Sequence, residues 1–348
     1  GIKHVRLSNV RCTKNKHPGP QDEVITDRTI RHAMRTGQST AKDLAGKDSM
    51  TKSFQLVCLA ALMPACIAMP LTAKDIPAQL PKPDAHEPDT GKPVQVYILS
   101  GQSNMVGMGK IAGDKAGTLE TLVKKEKKFQ HLVDEDGKWT TRKDVFFVDL
   151  TNRRIARWLT VGVMGRTVGP EVQFGHIMGY YHDEIVLVIK AAQGNRSISF
   201  DVMPPSSRIG YPKKGKFYKG WQYDAFVADI HKILDHLNEY FPAYQDQGYE
   251  IAGFCWWQGH KDGGLSQRYY ERHLVNLIND FRAEFEAPNA PFVVATVGFG
   301  GKFMQRKYRE ILNAQMAVSD AEKYPDFSGN VNSIDTRPFW RGAAESPT

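Results

Sequence analysis

Hydrophobic and polar positions divide the chain into short unbroken apolar runs and longer stretches of helical spacing. Residues 94–99, 185–189, 251–257 and 292–297 are rich in β-branched and aromatic side chains and are bounded by Gly, Pro or polar residues. Runs of that kind read as strands buried on both faces, the pattern of a parallel sheet. Between them lie segments with a single apolar face. Phe226, Ile230, Ile233, Leu234 and Leu237 share one side of a helix predicted over 223–241. Further helices are predicted over 169–181, where Pro170 and Glu171 fall in the first turn, and over 269–285 and 308–318. A turn at 137–139 leads to a short strand at 145–148. Residues 110–128 are amphipathic and charged, helical or loop, and 110–168 as a whole reads as an insertion that shapes substrate binding. Strands alternating with helices imply an α/β fold, a mostly parallel sheet covered on both faces.

Composition changes this picture mainly at the amino end. The 348 residues are 41% hydrophobic, enough for a sizeable core, and carry a net charge of +8. Residues 1–73 hold 11 basic and 5 acidic side chains, a net of +6, whereas the remaining 275 residues are nearly balanced at +2. The body therefore has no footprint for nucleic acid. Residues 54–68 form an uncharged apolar run of fifteen after Met50, Thr51 and Lys52, and Leu71, Thr72 and Ala73 follow as a cleavage site. A short basic start, an apolar stretch and an Ala-type exit predict a secretory signal peptide over 50–73, hence a secreted or periplasmic protein. The run is short for a bilayer-spanning helix, so no stable membrane insertion is expected, a single amino-terminal anchor being the alternative. On this reading Met50 is the true start. Residues 1–49 are then upstream sequence or a disordered basic extension, and the Pro-rich residues 74–92 are a linker before a domain over 93–348. Only Cys255 of the four cysteines lies in the body, within an apolar run, so no disulfide framework is expected and Cys255 reads as a core residue.

The chemistry concentrates where the strands end. The first run passes into Gly101, Gln102, Ser103, Asn104 and Met105; the second into Gln193, Gly194 and Asn195; the third into Gln258, Gly259, His260, Lys261 and Asp262; the fourth into a glycine-rich turn at 298–301. In an open α/β sheet, ligands bind at the carboxyl ends of the strands. Ser103 is thus a candidate nucleophile, the alternative being a helix-capping serine. Glycines admit a substrate close to the backbone, and amides and backbone N–H groups supply an oxyanion hole for acyl transfer. No strand end matches a Walker A or dinucleotide fingerprint, and no His, Cys and carboxylate group has metal-ligand spacing, so no cofactor is expected.

The order of these motifs, GQSNM after a buried strand, a GPE helix start and WWQG with a following Asp, resembles the SGNH hydrolases. More narrowly it is similar to the sialate O-acetylesterase and carbohydrate esterase family 6 group, over about residues 93–341. The resemblance implies a flavodoxin-like three-layer α/β/α fold and a serine esterase removing O-acetyl groups from a carbohydrate of acetylxylan or sialate type. It implies Ser103 as nucleophile and Ser103 N–H, Gly194 N–H and Gln258 as oxyanion donors. Gln102, Asn104, Asn195, His260 and Asp262 then belong to the pocket as auxiliary groups. Two features depart from the family pattern. His260 stands where many relatives carry Glu, and no histidine follows His273, although the family's base lies on a late loop. The base is therefore expected beyond Thr348, with the 348-residue chain nearly inactive and His260 the one substitute at a strand end. His131 aside, the remaining histidines of the body (His176, His182, His231, His236 and His273) read as helix residues at the surface or in packing. The competing reading is a non-catalytic carbohydrate-binding protein using the same cleft and exposed aromatics such as Trp221, Tyr223 and Trp257. Nothing in the sequence specifies an oligomeric state.

Overall fold

The computed structural model describes residues 80–82 and 87–342. The expectations for residues 1–49, for the signal peptide over 50–73 and for part of the linker lie outside the described residues.

Strand β1 (Val94–Gly101) leads into α1 (Ser103–Val106), a single helical turn. β2 (Gly109–Lys110), β3 (Thr141–Asp149), β4 (Ile155–Thr160) and β5 (Thr167–Val168) follow, β5 closing antiparallel on β2. Then come α2 (Pro170–Tyr181), β6 (Val186–Ala192), α3 (Trp221–Asp235), α4 (Leu237–Tyr240) and β7 (Tyr249–Trp257). The chain continues through α5 (Gln267–Glu284), β8 (Phe292–Ala295), α6 (Arg306–Ala317) and β9 (Val331–Ile334). Seven strands make one sheet in the order β4-β3-β6-β1-β7-β8-β9, parallel throughout except for β4, which runs antiparallel on β3 at the edge.

Alternation along the strands feeds two cores, which is why the runs are apolar at nearly every position. Val96 and Ile98 of β1 and Leu187 and Ile189 of β6 face the larger core with Ile230 of α3, Leu274 of α5 and Ile311 of α6. Leu99 of β1 and Val186 and Val188 of β6 face the other core with Met105 of α1 and, from α2, Phe174 and Met178. The three-layer, mostly parallel architecture expected from the sequence is thereby present.

Several local expectations need correction. Residues 110–168 are not simply an insertion, because β3 and β4 extend the main sheet. The apolar core of β3 (Val145, Phe146, Phe147 and Val148) was legible, but β4 mixes Arg157 with its apolar positions and carried no clear period. Residues 110–128, expected as helix or loop, are loop after Lys110 of β2 except for a short helical stretch over 119–125 that includes a turn of π-helix (Thr121–Lys125). The helix predicted over 223–241 breaks at His236, whose backbone leaves the helical region at φ −131° and ψ 39°. The last stretch before the domain is docked rather than loose: Asp89 N–H donates to Asp183 O at 2.8 Å, and Lys92 pairs with Glu184 at 3.3 Å.

Candidate functional site

Sheet register brings three strand ends to one level. Gly101 of β1 pairs with Ala192 of β6 on one side and with Trp257 of β7 on the other. Because β6 and β7 flank β1, the loops that follow them leave the sheet on either side of Ser103, at the carboxyl ends where ligands bind in an open α/β sheet. Ser103 therefore lies two residues past the end of the β1 ladder, Gly194 two past that of β6, and Gln258 one past that of β7.

Gly101 makes the close approach possible. It has φ +152°, and a Cβ there would sit 2.3 Å from Trp257 O, so only glycine fits without displacing β7. The next residue, Gln102, donates its N–H to Trp257 O at 3.0 Å and is almost fully buried. Ser103 then opens α1, half-buried, and its hydroxyl makes no hydrogen bond among the described residues. Its N–H, at the first position of the helix, and the N–H of Gly194 likewise have no backbone acceptor there. A side chain added at Gly194 would meet nothing within 4 Å, so the glycine faces open space. Asn195 takes a left-handed conformation, φ +58°, and turns the chain away from the sheet.

Gln258 and Asp262 stand behind this opening. The Gln258 amide nitrogen has two protons and three acceptors: Asp262 Oδ2 at 2.5 Å, Arg196 O at 2.8 Å and Gln102 Oε1 at 3.2 Å. Its Oε1 accepts from Tyr270 Oη at 2.8 Å, and its backbone carbonyl from Gln315 Nε2 at 2.6 Å. Asp262 also accepts from Ser197 Oγ at 2.6 Å, Ile198 N–H at 3.0 Å and Ser199 Oγ at 2.9 Å. That carboxylate fixes the loop after β6 to the loop after β7 and so sets where Gly194 stands relative to Ser103. Ser197, Ser199, Tyr270 and Gln315 were not singled out from sequence, because nothing in their spacing marks them as partners.

A second support lies beneath α1. Glu171, which opens α2, and Lys190, in the middle of β6, are fully buried and paired. Lys190 Nζ also donates to Val106 O at 3.2 Å, and Glu171 accepts from Gly169 N–H at 3.0 Å. The pair ties the turn that carries Ser103 to both neighbouring elements. The sequence did contain a signal: a lysine two positions before the end of an otherwise apolar strand needs a buried partner.

No imidazole bonds Ser103 among the described residues. His260 lies exposed on a rim, stacked on Tyr308 at 5.3 Å and against Phe299 at 4.7 Å. Partial burial, with Lys307 and Lys261 nearby, holds its pKa below the usual histidine value. His131 meets Gln173 at 2.9 Å, His182 meets Tyr97 at 2.8 Å, and His231 meets Glu284 at 2.8 Å. His176 and His273 are buried, and burial lowers their pKa values to about 3 and about 4. Cys255 is a free thiol on the second core, pushed up to about 12 by burial. Tyr223 is corrected from an exposed aromatic to a core one: it is buried, with its ring 5.3 Å from Phe281, because its face of α3 points at the sheet. Trp257 is half-buried and donates to Thr296 O at 3.1 Å, and Trp221 lies beside Arg196. Asn104 follows Ser103 in α1 and is half-buried.

Residues 93–332 match the family described as carbohydrate esterase, sialic acid-specific acetylesterase. No curated protein matches the chain at a significant level. Among solved structures, a protein of Arabidopsis thaliana known from X-ray crystallography is similar at 17% identity, with a TM-score of 0.46, over 73% of this chain and 90% of that one. A carbohydrate acetylesterase from Xanthomonas citri is similar at 12% identity and a TM-score of 0.44. That match covers 69% of this chain and spans about half (49%) of the Xanthomonas protein.

Proposed function

The chain belongs to the carbohydrate esterase, sialic acid-specific acetylesterase family, and from that premise we propose that it hydrolyses O-acetyl esters of a carbohydrate with Ser103 as nucleophile. The observation that carries this reading is the convergence of three strand ends on a hydroxyl without a hydrogen-bond partner among the described residues: Gly101 is laddered to both Ala192 and Trp257, and Ser103 follows it. Attack of Ser103 Oγ on the acetyl carbonyl places negative charge on the carbonyl oxygen. The N–H groups of Ser103 and Gly194, which have no other backbone acceptor, receive that charge. Gln258 would join them only by giving up one of its three buried acceptors, so its larger task is positioning. The same holds for Asp262, whose carboxylate is filled by donors of the Gly194 loop and by Gln258.

A serine hydroxyl is a weak nucleophile until a base takes its proton. None of the described histidines supplies that base by contact, so turnover by the 348-residue chain is slow and limited by deprotonation of Ser103. Added imidazole is the natural substitute. The test is release of p-nitrophenol from p-nitrophenyl acetate, with and without imidazole, by the parent chain and by Ser103→Ala. A rate above the imidazole background that vanishes in Ser103→Ala supports the esterase. Equal rates for the two proteins, together with retained binding to an acetylated glycan, favour the carbohydrate-binding reading, to which the half-buried Trp221 beside the cleft lends a surface. Export is proposed on the basic start and apolar run of residues 50–73, and is tested by the cell fraction in which the full chain collects. Among the described residues no helix is long and apolar enough to cross a membrane.

A further inference from the structure

The segment from Arg208 to Trp221 is a surface feature to which the proposed ester chemistry gives no role. Between Asp201 and Asp224 the chain carries five cationic side chains (Arg208, Lys213, Lys214, Lys216 and Lys219) and no acidic one. Asp224 neutralises two of them, pairing with Arg208 at 2.5 Å and Lys213 at 2.9 Å. Lys214, Lys216 and Lys219 have no carboxylate partner among the described residues. Aromatic rings are interleaved with them. Lys219 Nζ stands 3.4 Å from the centroid of the Tyr211 ring, and Lys216 Nζ 5.4 Å from that of Phe217. Ile209, Tyr211 and Phe217 are 84%, 51% and 58% exposed, large apolar side chains that no core requirement explains.

The segment is anchored, not loose. Arg208 donates to Gly220 O at 3.1 Å, Tyr218 Oη donates to Asp224 at 2.6 Å, and Gly220 N–H donates to Phe200 O at 2.7 Å. It is also continuous with the cleft. Arg196, two residues past Gly194, donates from Nε to Gln222 at 2.9 Å and lays its guanidinium 4.9 Å from the Trp221 ring. Phe217 in turn packs edge-on against Trp221 at 4.9 Å. A path of rings and cations thus starts beside the proposed oxyanion donor and runs outward over exposed surface.

We infer that this path binds an acidic polysaccharide, a glycan chain bearing carboxylates at intervals, and holds the part that extends beyond the ester at Ser103. The inference rests on the cleft being the ester site. Aromatic faces suit the apolar faces of pyranose rings, and separated ammonium groups suit sparse carboxylates. A dense polyanion fits poorly, because the path offers only three lysines without a carboxylate partner among the described residues and residues 74–348 carry a net charge of only +2.

Binding is measured on the full chain carrying Ser103→Ala, by affinity electrophoresis in native gels. The gels contain either O-acetylated glucuronoxylan or the same polymer after its carboxyl groups have been reduced to alcohols. The acidic polymer is expected to bind about tenfold more tightly, with the preference fading as salt screens the lysines. Adding Lys214→Ser, Lys216→Ser and Lys219→Ser abolishes the preference, whereas Tyr211→Ser with Phe217→Ser weakens binding to both polymers. Unchanged circular dichroism shows that these substitutions leave the fold intact. Equal retardation by both polymers overturns the inference, as does an undiminished preference in the lysine variant. Tighter capture by phosphatidylglycerol vesicles, by dextran sulfate or by duplex DNA also overturns it. Since the binding protein lacks the Ser103 hydroxyl, failure of the parent chain to hydrolyse p-nitrophenyl acetate strikes the nucleophile assignment and is read separately from this result.

Discussion

At the scale of single residues, the site depends on a few positions where the backbone or a buried polar group has one solution. Gly101 is one: a Gly101→Ala chain must move β7 or twist the strand that delivers Ser103, since the new Cβ would lie 2.3 Å from Trp257 O. Asp262 is another. Asp262→Ala leaves Ser197, Ile198, Ser199 and Gln258 without their shared acceptor, and is expected to cost about 2–4 kcal/mol in urea unfolding. In the same variant any Ser103-dependent rate should fall through kcat more than through KM, because Gly194 loses its fixed place. His176 gives a pH effect. Its two ring nitrogens have no hydrogen-bond partner among the described residues and burial lowers its pKa to about 3. The unfolded chain, with an ordinary value near 6.5, therefore takes up the proton first as pH falls. Stability contributed by the neutral ring is present above about pH 6.5 and is lost progressively toward pH 3, by roughly 2 kcal/mol at pH 5. His273, held neutral in the same way with a value of about 4, adds to the loss. Thermal unfolding of the parent and of His176→Leu between pH 7 and pH 4 checks this, the variant showing the shallower decline.

At the scale of elements, the sequence announced what is buried on both faces and hid what is buried on one or is very short. The four apolar runs became β1, β6, β7 and β8 because two cores demand apolar side chains at successive positions. β9, four residues containing Asn332 and Ser333, carried no such demand, and neither did the single turn α1. Glu171 looked like a favourable charge at a helix start, yet its burial against Lys190 depends on a contact between residues 19 apart in sequence that no local pattern reveals. This pair joins α2 and β6 to α1 through Val106 O. Glu171→Gln is expected to destabilise the fold by about 3–5 kcal/mol by stranding the lysine charge, and Glu171→Leu combined with Lys190→Met to destabilise it less. Chemical denaturation of the two variants measures the difference. Equal losses for the single and double variants would mean that packing, not charge, dominates there.

For the molecule as a whole, the α/β architecture, the position of Ser103 at the end of a central strand and the family were all legible from ordered motifs. Their depth was not. The sequence placed Gln258 and Asp262 at strand ends, but only the folded chain brings Arg196, Ser197, Tyr270 and Gln315 around them. It suggested three exposed aromatics for carbohydrate binding, and the structure buries Tyr223 while leaving a different set, Tyr211 and Phe217, in solvent. The proposed account is of ester hydrolysis with Ser103 as nucleophile, its hydroxyl without an imidazole partner among the described residues. The measurement that tests this most directly is the imidazole dependence of p-nitrophenyl acetate hydrolysis by the 348-residue chain, corrected for free imidazole. A slow basal rate that rises with imidazole and disappears in Ser103→Ala is the predicted result; a rate unaffected by the loss of the Ser103 hydroxyl would contradict it.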